Sequence, residues 1–276
     1  MGNRYVLAVE RRLKILERVA EDQSIEVGAL ARDFDVSEMT IRRDLRRLER
    51  DGFVRRTYGG ATTHLVRAFE VGVNARVLQH AAEKRAIGLE AVKHIGDVRV
   101  MFIGIGTTIE QFARLLPPRD DLTVVTPSLA VASLLGTRRI RVIVAGGMVR
   151  QDELTCVGAS AVEAVRRYNT DVAVIGAGGV SARRGITELD DREAEVIRAA
   201  LSETERIVVL ADGSKVGSVG MCTVAPIEQV ETLVTGIAAD SAEIRRIESA
   251  GVAVIRAGSV GAERESRAKA LAGVPA

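Results

Sequence analysis

The sequence predicts an α/β protein built in two parts, an N-terminal winged helix-turn-helix domain and a C-terminal open parallel-sheet α/β domain. Three observations carry this. Between residues 11 and 61, three closely spaced helical patterns lead into a basic hairpin with a Gly-Gly turn. From Val98 onward, short runs rich in Val and Ile alternate with helical stretches, the order of a parallel sheet with crossover helices. The chain has 276 residues, enough for about two domains at ~100–200 residues each, and its 47% hydrophobic content suits packed cores.

The first helix places Leu13, Leu16, Val19 and Ala20 on one face. The second begins near Ile25 and Glu26 and turns Val27, Leu30, Ala31 and Phe34 inward, and Asp35 and Val36 form a short connection. Ser37 caps a third helix, and Glu38 in its first turn faces the positive end of the helix dipole. Ile41, Leu45 and Leu48 form its buried stripe, leaving Thr40, Arg42, Arg43, Arg46, Arg47 and Arg50 on the other faces. Gly52 ends the helix. Phe53 and Val54 then anchor a short strand with Arg55 and Arg56 beside it, and Gly59-Gly60 turns it into a wing.

Two helices joined by a short turn, the second rich in Arg, form a unit that reads duplex DNA. Its N-terminal turn approaches base edges while guanidinium groups reach phosphates. The candidate DNA contacts are Ser37, Thr40, Arg42, Arg43, Arg46, Arg47, Arg55 and Arg56. From Ser37 to Thr57 seven basic residues face four acids, while the whole chain carries only +2, so the positive field is local. The plainer alternative is a solvated helix supported by pairs such as Glu38–Arg42 and Arg47–Asp51. The wing that follows in the right order favours DNA.

In the second part, strands are expected at Val98–Ile103, Leu122–Thr126, Arg141–Ala145, Asp171–Ile175, Ile207–Ala211, Thr232–Thr235 and Val252–Ile255, with helices including Ile109–Leu116 and Arg192–Leu201. Open α/β sheets bind ligands beyond the carboxyl ends of their strands. Those ends read Gly104-Ile105-Gly106-Thr107-Thr108, Thr126-Pro127-Ser128, Gly146-Gly147-Met148-Val149-Arg150, Gly176-Ala177-Gly178-Gly179 and Asp212-Gly213-Ser214-Lys215. Each glycine loop alone is an ordinary tight turn. Several together, carrying Thr, Ser, Arg and Lys, point to a small anionic ligand at Gly106, Thr107, Thr108, Thr126, Ser128, Arg150 and Lys215. The third glycine of a dinucleotide fingerprint and the Walker pattern are both missing from the sequence.

The run from Arg11 to Ala61 closely resembles the DeoR-type repressors, on Val36, Ser37, Thr40, Ile41, Arg42, Arg43, Asp44 and Leu45, then Arg56, Gly59, Gly60 and Ala61. The order of the later loops resembles the effector domain of that family, itself related to ribose-phosphate isomerases. The resemblance implies a repressor of carbohydrate catabolism genes controlled by a phosphorylated sugar or polyol. It implies that Gly106, Thr107 and Thr108 hold the effector phosphate and that Lys215 contacts it. Three positions depart from the family pattern: Gly104 and Gly236 where Asp is common, and Pro127 where Asn is common.

Two rival readings are a sugar-phosphate isomerase-like enzyme and a DNA-binding protein whose second domain serves only oligomerisation. Against the enzyme, no acid lies within Gly176–Gly179, and Glu188, Asp190 and Asp191 read as a polar loop opening the Arg192 helix. The expected organisation is residues 1–61 for DNA binding, 62–95 as linker and connecting helix, 96–262 as sensor and 263–276 as tail. Partners are an operator duplex, a phosphorylated sugar and further copies of the chain in a dimer or tetramer. Cys156 and Cys222 are read as reduced thiols, and neither they nor His64, His80 and His94 have metal-ligand spacing, so no metal, cofactor or catalytic residue is expected. Aromatics at 3%, without Trp, leave little surface for stacking single-stranded bases. Without a signal segment or a spanning apolar run, the expected location is the cytoplasm, with no membrane partner.

Overall fold

The computed structural model describes residues 11–12, 14–15, 18, 24–50, 54–57, 60–63, 76–77 and 79–258, with backbone alone at 24, 50, 54–56 and 61–63. The chain divides into two compact units between His80 and Ala81.

The first unit comprises β1 (Ser24–Glu26), α1 (Val27–Asp33), α2 (Glu38–Arg50), β2 (Val54–Arg56) and β3 (Gly60–Thr63). The strands form an antiparallel sheet in the order β1-β3-β2, the wing of a winged helix. Ile25 and Glu26, expected to open the second helix, instead pair with Ala61 and Gly60, and α1 starts only at Val27. These partners, Ala61 and Gly60, lie 36 and 34 residues further along the chain, so local periodicity carries no trace of them. The pairing also fixes the residue at 60: a Cβ there would collide with the Ile25 carbonyl. Ile15, Val27, Leu30, Ile41, Leu45 and Leu48 make the core, with Ala31, Phe34 and Val36 packed against it. Asp35 takes φ 50 in the turn between the helices, as the short connection requires. The expected face Leu13, Leu16, Val19 and Ala20 lies outside the described residues, as do Gly52, Phe53, Gly59 and the 263–276 tail.

The second unit is a seven-stranded sheet of β4 (Val100–Ile103), β5 (Thr123–Thr126), β6 (Arg141–Val144), β9 (Thr170–Ile175), β12 (Thr204–Ala211), β14 (Thr232–Gly236) and β15 (Ala253–Ala257). Every neighbouring pair is parallel, in the order β15-β14-β12-β9-β4-β5-β6. Alternate residues feed opposite cores. Ile207 and Val209 face one, with α6 (Ala159–Val165), α7 (Asp191–Leu201) and α8 (Ser241–Ser249). Val208 and Leu210 face the other, with α3 (Ala81–His94), α4 (Thr107–Leu115) and α5 (Leu129–Leu135). This two-sided cover is why the strands read as unbroken Val/Ile runs. The seven expected strands are those of the sheet. The expectation did not include the hairpin β7–β8 (Met148–Arg150 and Thr155–Val157) or the antiparallel sheet of β10 (Gly179–Ser181), β11 (Gly185–Glu188) and β13 (Cys222–Ala225). Wing strand β3 runs on to Thr63, and α3 packs on the sheet of the second unit.

Asp171 locks the start of β9 to that of β4, accepting the amides of Arg99 at 2.7 Å and Val100 at 2.9 Å. The amides of Val100 and Arg99 hold its carboxyl below the usual carboxylate range. A depressed folded value means the bond contributes above the unfolded pKa of ~3.9 and is lost as pH falls through the lower folded value. Asp171→Asn is therefore expected to lower the neutral-pH melting temperature and to flatten the loss of stability below about pH 4. Thermal melts across pH check this, and an unchanged acid limb would contradict it.

Candidate nucleic-acid interface and effector site

The recognition helix α2 begins at a hydroxyl cap. Ser37 Oγ accepts the Thr40 amide at 3.2 Å and lies 3.0 Å from Thr40 Oγ1. The Ser37 hydroxyl is thus engaged in the cap, where it fixes the direction in which the first turn projects. Ile41, Leu45 and Leu48 bury the inner face, while Arg43, Arg46 and Arg47 are exposed. Two of the acids that diluted the positive charge of the sequence are neutralised. Glu38 pairs with Arg42 at 3.2 Å, and buried Asp44 accepts Arg11 Nε at 2.7 Å with Arg12 at 3.8 Å. What remains is a cleft of about 480 Å³ lined by Arg11, Arg12, Thr40, Arg43, Arg46 and Arg47 with Asp44, a basic concavity suited to phosphate oxygens. Met39 stands 60% exposed in the first helical turn, an apolar side chain that charge-based reading passes over. The side chains of Arg55 and Arg56 lie outside the described residues.

In the second unit, Gly106 (φ 106) precedes α4, and a Cβ there would meet open space. Thr107 and Thr108 form the first turn and are both buried. Sequence reading missed the side chain that reaches them. Lys84, on the first turn of α3, is only 4% exposed and its Nζ donates to Thr107 Oγ1 at 3.0 Å. A lysine on an otherwise inward-facing stretch, Lys84-Ala86-Ile87-Ala91, was the available signal. Its neighbour Glu83 accepts the Gly213 amide at 2.8 Å beyond β12. Lys215 ends a 3₁₀ turn, Gly213–Lys215, capped by Asp212 and half-buried. Thr126 and Ser128 are turned to local work: Thr126 Oγ1 accepts the Ser128 amide at 3.1 Å, and Ser128 Oγ caps α5 through Val131 at 3.2 Å.

Two side chains meet partners from distant elements. Arg150 sits in the β7–β8 hairpin, its guanidinium 2.7 Å from Asp152, 2.9 Å from Glu193 and 3.7 Å from Asp190, while Thr155 also donates to Glu193 at 2.7 Å. Burial opposes the charge of Arg150, yet Asp152, Glu193 and Asp190 outweigh it and raise its pKa. Three carboxylates occupy the fork, so Arg150 clamps the hairpin to α7. Glu188 is the second. It ends β11, is buried, and lies against Gly178, within 3.2 Å of where a Cβ would stand. The β10–β11 register, Gly179 opposite Thr187, returns this acid to the glycine loop, a non-local effect. Asp190, by contrast, caps α7 at Arg192 and Glu193.

A winged helix bearing an arginine face, followed in the chain by a parallel α/β unit, is the architecture of a DNA-binding regulator with a sensor domain. The DeoR-like helix-turn-helix domain matches residues 11–64, and the DeoR C terminal sensor domain matches residues 79–236. The chain belongs to the DeoR family of transcriptional regulators. It is 30% identical to the HTH-type transcriptional regulator GlpR of Haloferax volcanii over 91% of this chain and 98% of the relative. It is 28% identical to the glycerol-3-phosphate regulon repressor of Escherichia coli K12 over 82% of this chain and 90% of the relative. Ribose 5-phosphate isomerase A of Methanocaldococcus jannaschii aligns at 19% identity and TM-score 0.36, over 49% of this chain and 54% of that one. The relatives at 28–30% identity are regulators, and this chain is a regulator rather than an enzyme. Among the described residues, no helix is long and apolar enough to cross a membrane.

Arg150→Met leaves Asp152, Asp190 and Glu193 facing one another, so the second unit is expected to lose about 1–3 kcal/mol, less than a fully buried pair because the site is partly exposed. Denaturant unfolding measures it. Unchanged stability would contradict the clamp.

Proposed function

We propose that the protein represses genes of carbohydrate catabolism and that a phosphorylated sugar or polyol bound in the second unit controls its grip on operator DNA. The observation that carries this reading is the buried Lys84 ammonium on Thr107, at a loop whose open Gly106 leads into a helix N-terminus. An ammonium beside the N-terminus of α4, where backbone amides and the helix dipole already favour negative charge, adds to the attraction for a phosphate there. Gly106, Thr107, Thr108 and Lys84 would hold the phosphate, with Lys215 approaching from β12. Thr126 and Ser128 would shape the pocket through their turns. That one relative is named for glycerol-3-phosphate agrees with this ligand class.

On the DNA side, Arg43, Arg46 and Arg47 would contact phosphates, with Arg12, Arg55 and Arg56 beside them, while Thr40 and Met39 approach base edges, Met39 suiting a thymine methyl. Arg42 would act partly through its pair with Glu38. A homo-oligomer would set two such helices on half-sites one or more helical turns apart. The coupling route is short in sequence: Glu83 and Lys84 follow the His80–Ala81 junction by three and four residues. A ligand that moves the first turn of α3 moves the segment leading to the DNA unit. A differential affinity of about 1–3 kcal/mol would change operator binding roughly 5–150-fold. Acting on duplex DNA, such a protein works in the cytoplasm.

Two outcomes test this. Arg46→Ala is expected to reduce the slope of log K against log salt by about 1 and to weaken all duplexes alike. Fluorescence anisotropy across salt measures it, and an unaltered slope would exclude Arg46 from the phosphate contacts. A screen of sugar and polyol phosphates by thermal shift should give a hit that stabilises by ~2.7 kcal/mol at 100 times its Kd. Lys84→Met should abolish that shift, and a shift that persists would place the ligand elsewhere.

A further inference from the structure

We propose that Glu83 sets the effector specificity of the second unit, selecting phosphorylated sugars or polyols over phosphorylated acids. The proposal rests on the phosphate reading of Lys84 and Thr107. Glu83 Oε1 accepts the Gly213 amide at 2.8 Å at the carboxyl end of β12. Gly236, the last residue of β14, leaves the volume that this carboxylate fills, because a Cβ at 236 would collide with it. The carboxylate is therefore held across the ends of two adjacent strands by a hydrogen bond on one and a missing side chain on the other. One residue before Gly236, the fully buried Thr235 hydroxyl has no hydrogen-bond partner among the described residues. This strand end thus carries an unsatisfied polar atom as well as an anion.

Successive residues of α3 divide the strand ends by charge. Lys84 serves the β4 loop, and Glu83 serves the β12 and β14 loops. β12 lies two strands from β4, about 10 Å at ~4.8 Å per strand. A ligand with its phosphate at Thr107 would extend its carbon chain and hydroxyls toward the β12 end. A carboxylate accepts hydrogen bonds at up to about four positions, so the bond to Gly213 does not exhaust it. It accepts from a hydroxyl and repels a second carboxylate.

The test uses the full-length chain and calorimetric Kd values for matched pairs: glycerol 3-phosphate with 3-phosphoglycerate, and glucose 6-phosphate with 6-phosphogluconate, alongside inorganic phosphate. Wild type is expected to bind an alcohol at least about ten-fold more tightly than its acid, equivalent to 1.4 kcal/mol. Glu83→Gln, which keeps the size and the acceptor for Gly213, should bring the pair within about three-fold. Gly236→Ala, whose methyl displaces the carboxylate, should do the same. An unchanged preference in both variants overturns the proposal, as does a wild type that prefers neither member of the pairs. If Lys84→Met loses inorganic phosphate in the same experiment, the phosphate site stands even where the specificity claim falls. Phosphate binding that survives Lys84→Met, or no binding of any probe by wild type, overturns the underlying reading and the proposal with it.

Discussion

Parallel strands impose the geometry on which the second unit depends. A parallel strand can follow its predecessor only through a crossover, so the βα loops emerge at the same edge of the sheet. The order β15-β14-β12-β9-β4-β5-β6 puts the ends of β4, β12 and β14 on that edge although they are far apart in sequence. The first turn of α3 reaches the same edge through Lys84 and Glu83, two bonds that tie residues 23 and 130 positions apart. Without the parallel register these groups would have no common location. With it, a cation, an anion and a helix N-terminus share one edge of the sheet.

In the first unit, charge is organised by burial. The inner face of α2 contains Asp44 as well as its apolar stripe, and Arg11 and Arg12 from the preceding helical segment neutralise it. Removing that acid from the surface sharpens the positive field of the outer face. A net charge of +2 over the whole chain is therefore compatible with a strongly basic local surface, because affinity for DNA depends on the charges that reach phosphates rather than on the total.

Much of this was legible in the sequence, and what was not has a common cause. The seven parallel strands announce themselves as apolar runs because both of their faces are covered. The recognition helix is readable from the Ile41, Leu45 and Leu48 period and the Ser37 cap. What escaped were features made by distant partners. Ser24–Glu26 became a strand because β3 lay beside it. The ion pairs of Arg150 could not be read locally, because Glu193 and Asp190 come from another element. Glu188 returned to the glycine loop through a hairpin register. Lys84 and Glu83 lay in a segment expected to be a connector, although two adjacent opposite charges among inward-facing alanines and isoleucine hint at a shared polar task. Gly236 looked like a loss against the family pattern, whereas in the fold it accommodates Glu83.

The central claim is that a phosphorylated ligand binds where Lys84 meets Thr107 and acts on the segment entering α3. Hydrogen exchange of the full-length chain, with and without a stabilising polyol phosphate, addresses this most directly. The account predicts added protection at residues 81–84, 106–108 and 213–215. Protection confined to the Met148–Val157 hairpin, or none in the second unit, would contradict it.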